Sequence, residues 1–233
     1  MLIYGKNVAY EYLEKNKKVR KAFLQIGFAD QKLISLLEKR KISTIFVDKN
    51  KISELACGNH QGIILDVEDF RYSNLDDIIK NDESIIVLLD HLEDPHNLGA
   101  IIRTSEAAGV DGIIIPKDRS VSVNATVMKT SAGAANNIPI SLVTNLKHTI
   151  DQLKKNGYWI VGTDMTNSID YKDIDYKGKV CLIIGNEGYG ISKLIKEECD
   201  FIARIPMYGK INSLNASVAA ALMIYEAVRQ QRG

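Results

Sequence analysis

Short unbroken apolar runs alternate with helical spacings over most of the chain. IIVLLD (85–90), GIIIP (112–116), IPISLV (138–143), YWIVGTD (158–164), VCLIIG (180–185) and FIARIP (201–206) read as strands. Runs of this kind, apolar at successive positions, belong to strands buried on both faces. Helices are expected between and after them, over about 95–108, 123–133, 145–156, 190–199 and 214–230. Strand and helix in alternation predict an α/β fold with a parallel sheet covered on both sides. A smaller α/β unit comes first. It has a helix over 5–16, a strand over 21–27, a helix over 31–40 capped by Asp30, a strand at 43–47, a short helix near 51–56 and a strand at 62–67. EDFRYSNLDDIIKNDES is polar and weakly patterned. The expected organisation is therefore a small domain over 1–70, a linker over 71–84 and a larger domain over 85–233.

The composition is that of an ordinary globular chain: 233 residues, 45% hydrophobic and 25% charged. No apolar run is long enough to cross a bilayer, and MLIYGKNVAYEYL lacks the apolar core of a signal peptide. A cytoplasmic location is the expectation. Cys57, Cys181 and Cys199 are an odd number without metal-type spacing, and read as free thiols in a reducing compartment. The net charge of +1 conceals an asymmetry. Residues 1–65 hold 12 Lys/Arg and 6 Asp/Glu, leaving 18 and 23 for the remainder. A basic front on a mildly acidic body suits a polyanionic partner, though a solvated lysine-rich surface has the same composition.

Ligands of parallel sheets bind beyond the carboxyl ends of strands, and three strand-end loops hold unusual residues. In LLDHLEDPHNLGAIIRTSEAAG, Asp94, Pro95 and Gly109 are ordinary helix start and stop signals. The apolar stripe is Leu98, Ile101, Ile102, Ser105 and Ala108. Arg103 lies off it, one turn from Gly99, Ala100, Glu106 and Ala107. It is either a functional cation with room around it or a surface residue paired with Glu106. In LIIGNEGYGIS, Gly185, Gly188 and Gly190 allow a bare backbone near a ligand, but no Lys follows as in a phosphate loop, and Glu187 disfavours phosphate. A ligand with ribose, base and a cationic centre fits better. The third loop is IPMYGKINSLNAS. Asn212 or Ser213 is expected to cap the final helix, which has no broad polar face and so is core all round or core plus subunit interface.

Together the three loops resemble the SpoU–TrmH (SPOUT) family of RNA ribose 2′-O-methyltransferases. Asp94-Pro-His-Asn-Leu-Gly with Arg103, Gly185-Asn-Glu-Gly-Tyr-Gly, and Ile205-Pro-Met with Ser213-Leu-Asn-Ala-Ser match the family's three motifs in order. The front segment, from YGKNVAYEYL to HQGI, is similar to the family's RNA substrate-binding module. PKDRSVSVNATVMKTSAGA (116–134) is similar to the subgroup that methylates a guanosine ribose in 23S rRNA. Ala216 stands where many relatives have valine.

The resemblance implies S-adenosylmethionine as methyl donor, a homodimer and a C-terminal trefoil knot, which periodicity would not suggest. It implies Arg103, Asn97, Glu187, Ser213 and Asn215 as catalytic residues, the cofactor against Gly185, Ile205 and Leu214, and no metal. The expected reaction is methyl transfer to a ribose 2′-hydroxyl of RNA, with a guanosine of 23S rRNA favoured over tRNA. A nucleotide-dependent enzyme would need a phosphate loop after the first strand of the body, and DHLEDPHN has none. A silent RNA-binding relative would be expected to lack Arg103 or the Asn/Ser cluster.

Overall fold

The computed structural model describes residues 1–56, 59–80 and 82–233; Cys57 lies outside them. The front unit is built on a four-stranded sheet in the order β1-β4-β2-β3. Its elements are β1 (Leu2–Tyr4), α1 (Lys6–Glu14), β2 (Val19–Gln25), α2 (Gln31–Lys39), β3 (Thr44–Val47), α3 (Lys49–Leu55) and β4 (Ile63–Val67). Asp30 caps α2, its carboxylate accepting from the Leu33 N–H at 3.3 Å. The tripeptide β1 was not expected, because three residues show no period. It is held as an edge by antiparallel pairing of Ile3 with Leu65 and by the terminal ammonium on Val67 O.

The body is a seven-stranded sheet in the order β7-β6-β5-β10-β8-β11-β9, with every pairing parallel. Its elements are β5 (Ser84–Leu89), α4 (Pro95–Ala108), β6 (Gly112–Pro116), α5 (Ala125–Thr130), β7 (Ile140–Val143), α6 (Leu146–Lys155), β8 (Trp159–Thr163), β9 (Ile169–Asp170), β10 (Lys179–Ile184), α7 (Lys193–Glu197), β11 (Phe201–Arg204) and α8 (Ala216–Arg232). Both faces of the central strands are buried. Ile85, Val87, Leu89, Val180 and Leu182 join the core under α4 and α8, while Ile86, Leu88, Cys181 and Ile183 join the one under α6 and α7. Each such side chain contributes about 1.5–3 kcal/mol relative to an exposed one, which is why these strands are apolar at every position.

Three expectations change. The helix expected over 123–133 is a helix only over 125–130, followed by a 3₁₀ turn at 134–136, and that expected over 190–199 shortens to 193–197. The two-residue β9 was not anticipated. The segment expected as a linker is fastened to the body: Ser73 N–H donates to Ile140 O, Tyr72 Oη accepts from Val123 N–H, and Ile78 is fully buried under Gly112. One apolar cluster runs without a break from Ile3, Tyr12 and Leu13 of the front unit to Val127, Ala135 and Ile138 of the body.

Candidate active site

The order of strands decides where a site can form. β10 is inserted between β5 and β8, so its carboxyl end lies where the winding reverses. The loop after it, 185–190, closes on itself through reciprocal backbone bonds between Asn186 and Gly190, both 2.9 Å. Gly185 is required there. A Cβ on it would stand 2.2 Å from the Gly190 carbonyl carbon and 2.4 Å from the Ile191 nitrogen. The end of β5 clamps the loop from the other side. The buried Asp90 accepts from the Ser192 N–H at 2.7 Å and lies 2.6 Å from His91 Nδ1, while Asn186 Nδ2 donates to His91 O at 2.8 Å.

A cavity of about 320 Å³ opens beyond the ends of β8, β10 and β11. Gly185, Ile205 and Leu214, the three residues expected against the cofactor, all line it, as do Glu187, Asn212 and Ser213. Asn97 stands outside its wall but joins it: the buried amide donates from Nδ2 to Glu187 Oε1 at 2.8 Å, across 90 positions of sequence. α4 begins as expected, with Asp94 accepting from His96 N–H, Pro95 in the first turn and Gly109 in the left-handed conformation at its end.

Arg103 is six residues beyond Asn97, about 9 Å along the helix axis. Its side chain is exposed and, among the described residues, makes no hydrogen bond or ion pair. The pairing with Glu106 is not formed; Glu106 accepts instead from Asn137 Nδ2. Gly99 serves packing, since a Cβ there would stand 2.6 Å from Thr130 Cβ, so its smallness admits α5.

The cap of α8 is a correction. Asn215, not Ser213 or Asn212, is the N-cap, its Oδ1 accepting from Ser217 N–H at 2.9 Å and from the Ser217 hydroxyl. The reason is where the helix starts: Ala216 and not Leu214 is its first residue, so only Asn215 reaches the free amides. That leaves Asn212 and Ser213 free to face the cavity, while Asn215 Oδ1 is engaged. Asp90 and His91 were missed, because nothing in spacing tells that residue 90 will meet residue 192.

The SpoU rRNA methylase family profile matches residues 84–225, and the profile described as RNA 2′-O ribose methyltransferase substrate binding matches residues 2–73. This chain belongs to the SpoU family of RNA methyltransferases. YacO of Bacillus subtilis (strain 168), assigned to the TrmH family of tRNA/rRNA methyltransferases, is 41% identical over 98% of this chain and 95% of its own. The SpoU methyltransferase AviRb from Streptomyces viridochromogenes, solved with AdoMet, superposes with a TM-score of 0.86 at 28% identity, covering 99% of this chain and 89% of AviRb. An AdoMet-bound rRNA methyltransferase from Sinorhizobium meliloti superposes at 0.82 with 30% identity, covering 100% and 88%.

The two described cysteines of this SpoU chain are not catalytic candidates. Burial pushes the Cys181 thiol far up and the Cys199 thiol up to about 12, so neither is a thiolate at neutral pH.

Proposed function

We propose that the protein transfers a methyl group from S-adenosylmethionine to a ribose 2′-hydroxyl of RNA, and that the substrate is a guanosine of 23S rRNA. The observation that carries this reading is the cavity at the ends of β8, β10 and β11 and its tie through Glu187 to Asn97 at the head of α4. The wall chemistry fits a nucleoside with a sulfonium. Ile184, Ala203, Ile205 and Leu214 give apolar surface for a base and a thioether chain, Gly185 leaves backbone bare, and the 185–190 loop carries no cation for a phosphate. When bound, S-adenosylmethionine supplies a methyl group already activated as a sulfonium.

The residues then have limited tasks: alignment and charge control. Gly185, Ile205 and Leu214 hold the cofactor. Glu187 keeps the loop in place through Asn97. Ser213 orients the ribose hydroxyl, and the amide of Asn215, whose nitrogen has no partner among the described residues, steadies the loop around it. Arg103 is a poor base, because a guanidinium keeps its proton at neutral pH. It neutralises the adjacent phosphate and the developing alkoxide, and the hydroxyl proton leaves to phosphate or water.

Three further features support the reading. Residues 1–65 hold the basic surplus, which suits RNA capture by the unit over 1–70, with 71–84 joining it to the methyltransferase unit over 85–233. The exposed Val218, Leu222 and Tyr225 form one apolar stripe on α8, which a second copy of the chain would cover. The chain passes from β11 through 205–215 and sets α8 against α4 over β5 and β10, a return that suits a trefoil threading. The test is transfer of labelled methyl to unmodified total RNA, followed by mass-spectrometric mapping of 2′-O-methyl positions. A mark on tRNA alone would replace rRNA as substrate; RNA binding without any transfer would make this a silent relative.

A further inference from the structure

The 185–190 loop has two sides, and only one of them faces the cavity described above. On the other side lies a second cavity of about 510 Å³, beyond the ends of β5, β6 and β7. His91, Glu93, Asp118, Arg119, Asn145 and Lys147 stand on its walls, and the exposed Leu194 adds apolar surface. Tyr189 lines both cavities. Its ring is 95% exposed, at the tip of a loop whose own backbone is closed by the Asn186–Gly190 bonds. Glu187 of the same tip is turned inward onto Asn97, so the two side chains divide the loop between them.

We propose that the second cavity seats an unpaired nucleotide next to the methylated one in the RNA substrate, with Tyr189 as the platform on which a base stacks. The inference rests on the methyl-transfer reading. If the target ribose enters the first cavity, the neighbouring nucleotide is one phosphodiester away, and the Tyr189 ridge with the cavity behind it is what it meets. The chemistry of the walls matches a nucleotide better than an isolated anion. Arg119 is exposed and its side chain has no partner among the described residues, so its planar fork is free for a phosphate or a base edge. Lys147 is engaged with Glu198. Glu93 and Asp118 are acceptors, suited to exocyclic amino groups and poorly suited to bare phosphate. An aromatic ring held out in solvent by a closed loop backbone stacks on a base without first being freed from packing. Sequence-specific RNA recognition works in this way, on unstacked bases set against aromatic and guanidinium planes.

The experiment uses the full chain with saturating S-adenosylhomocysteine and compares the parent with Tyr189→Ala, Tyr189→Phe and Arg119→Ala. The probes are unmodified total rRNA and single-stranded oligoribonucleotides, with cofactor affinity by calorimetry and mass by light scattering alongside. Tyr189→Ala is expected to weaken RNA binding about tenfold, since a stacked base is worth about 1–3 kcal/mol and 1.4 kcal/mol is tenfold. Tyr189→Phe should bind as the parent does, and Arg119→Ala should weaken RNA binding several-fold. Cofactor affinity should fall less than RNA affinity in Tyr189→Ala, whose ring also borders the first cavity, and should not move in Arg119→Ala; mass should not move in either. Parental RNA binding by both alanine variants overturns the proposal. A fall in cofactor affinity as large as that for RNA assigns the ring to the cofactor seat and also overturns it, and a change in mass assigns it to a contact between copies. Absence of methyl transfer by the parent would count against the enzymatic reading alone, since the binding comparison does not depend on turnover.

Discussion

Removing the Asn97 amide tests whether the tie between α4 and the glycine loop organises the site. The bond to Glu187 is 2.8 Å and one partner is charged, and hydrogen bonds to charged groups contribute about 1.5–3 kcal/mol. Asn97 is 6% exposed, but Glu187 is an exposed residue. Water therefore rehydrates the freed carboxylate, and the loss falls at the low end, about 1.5 kcal/mol. Alanine is a better helix former than asparagine by roughly 0.5 kcal/mol, so Asn97→Ala should destabilise the fold by only about 1 kcal/mol, a Tm shift of about 2–4 °C. The effect on the site should be larger than on the fold. The released loop holds Gly185, and S-adenosylhomocysteine affinity should fall about tenfold, the equivalent of the 1.4 kcal/mol no longer spent fixing it. Glu187→Gln keeps the shape and an acceptor for the same amide, so its affinity should stay within about threefold, a neutral bond being roughly half as strong. Calorimetry gives the affinities, and single-turnover transfer at saturating RNA gives the rate. Asn97→Ala with parental affinity and parental rate would refute the idea that the tie orders the site. Glu187→Gln as damaged as Glu187→Ala would show that the charge itself, not the position, is what matters.

Arg103→Ala should keep its fold within about 0.5 kcal/mol, as exposed substitutions do, and lose about 10²–10³ in single-turnover rate; Arg103→Lys should recover little of it, and a near-parental alanine variant would return Arg103 to plain surface. Gly185→Ala forces a Cβ against the Gly190 carbonyl carbon; at about 1–3 kcal/mol for overpacking, cofactor affinity by calorimetry should drop roughly ten- to hundredfold. Lys39, Lys41 and Lys49, exposed on the front unit, when changed together to Glu should weaken RNA binding and lower the slope of log affinity against log salt by about 0.7–0.9 for each phosphate no longer neutralised, measured by filter binding across salt. Asp30 is held below the usual carboxylate range, first by the Tyr10 hydroxyl and then by the Leu33 N–H and Lys6. Its folded pKa is depressed, so the stability it gives is complete above the unfolded carboxylate pKa and is lost as pH falls through the lower folded value; acid unfolding followed at the front unit should lose part of its steepness in Asp30→Asn.

What was legible in the sequence was whatever repeats or stands at an end. The central strands show themselves because burial on both faces leaves no polar position, and α4 because Asp94, Pro95 and Gly109 mark its limits. Gly185, Ile205 and Leu214 were readable as one site only through the resemblance, since 20 to 29 residues separate the first from the other two and spacing alone relates none of them. β1 and β9 were not legible, because two or three residues paired along an edge have no period to detect. The cap of α8 was misplaced because Asn212, Ser213 and Asn215 all have capping side chains, and only the backbone after β11 decides which of them stands at the helix mouth.

The insertion of β10 between β5 and β8 explains why one loop serves so many ends. A strand that enters the sheet between two already placed neighbours brings its following loop to the centre of the carboxyl edge, with open space on both sides. The cavity toward β8 and β11 is bounded by Gly185 and Ser213, and the cavity toward β6 and β7 by Arg119 and Asn145. The loop between them is fixed at three points: Asn186 on His91 O, Ser192 N–H on Asp90, and Glu187 on Asn97. Two of those points come from the end of β5 and the third from the start of α4, all within residues 90–97. Loss of any one should loosen both cavities together, whereas a change confined to Arg119 or to Ser213 should affect only its own. Asp90→Asn tests this, because the buried Asp90 carboxylate, although it borders the second cavity, is already engaged by Ser192 N–H and His91. It is expected to weaken S-adenosylhomocysteine and RNA binding in parallel. A variant in which only one of the two falls would mean that the loop does not move as a unit.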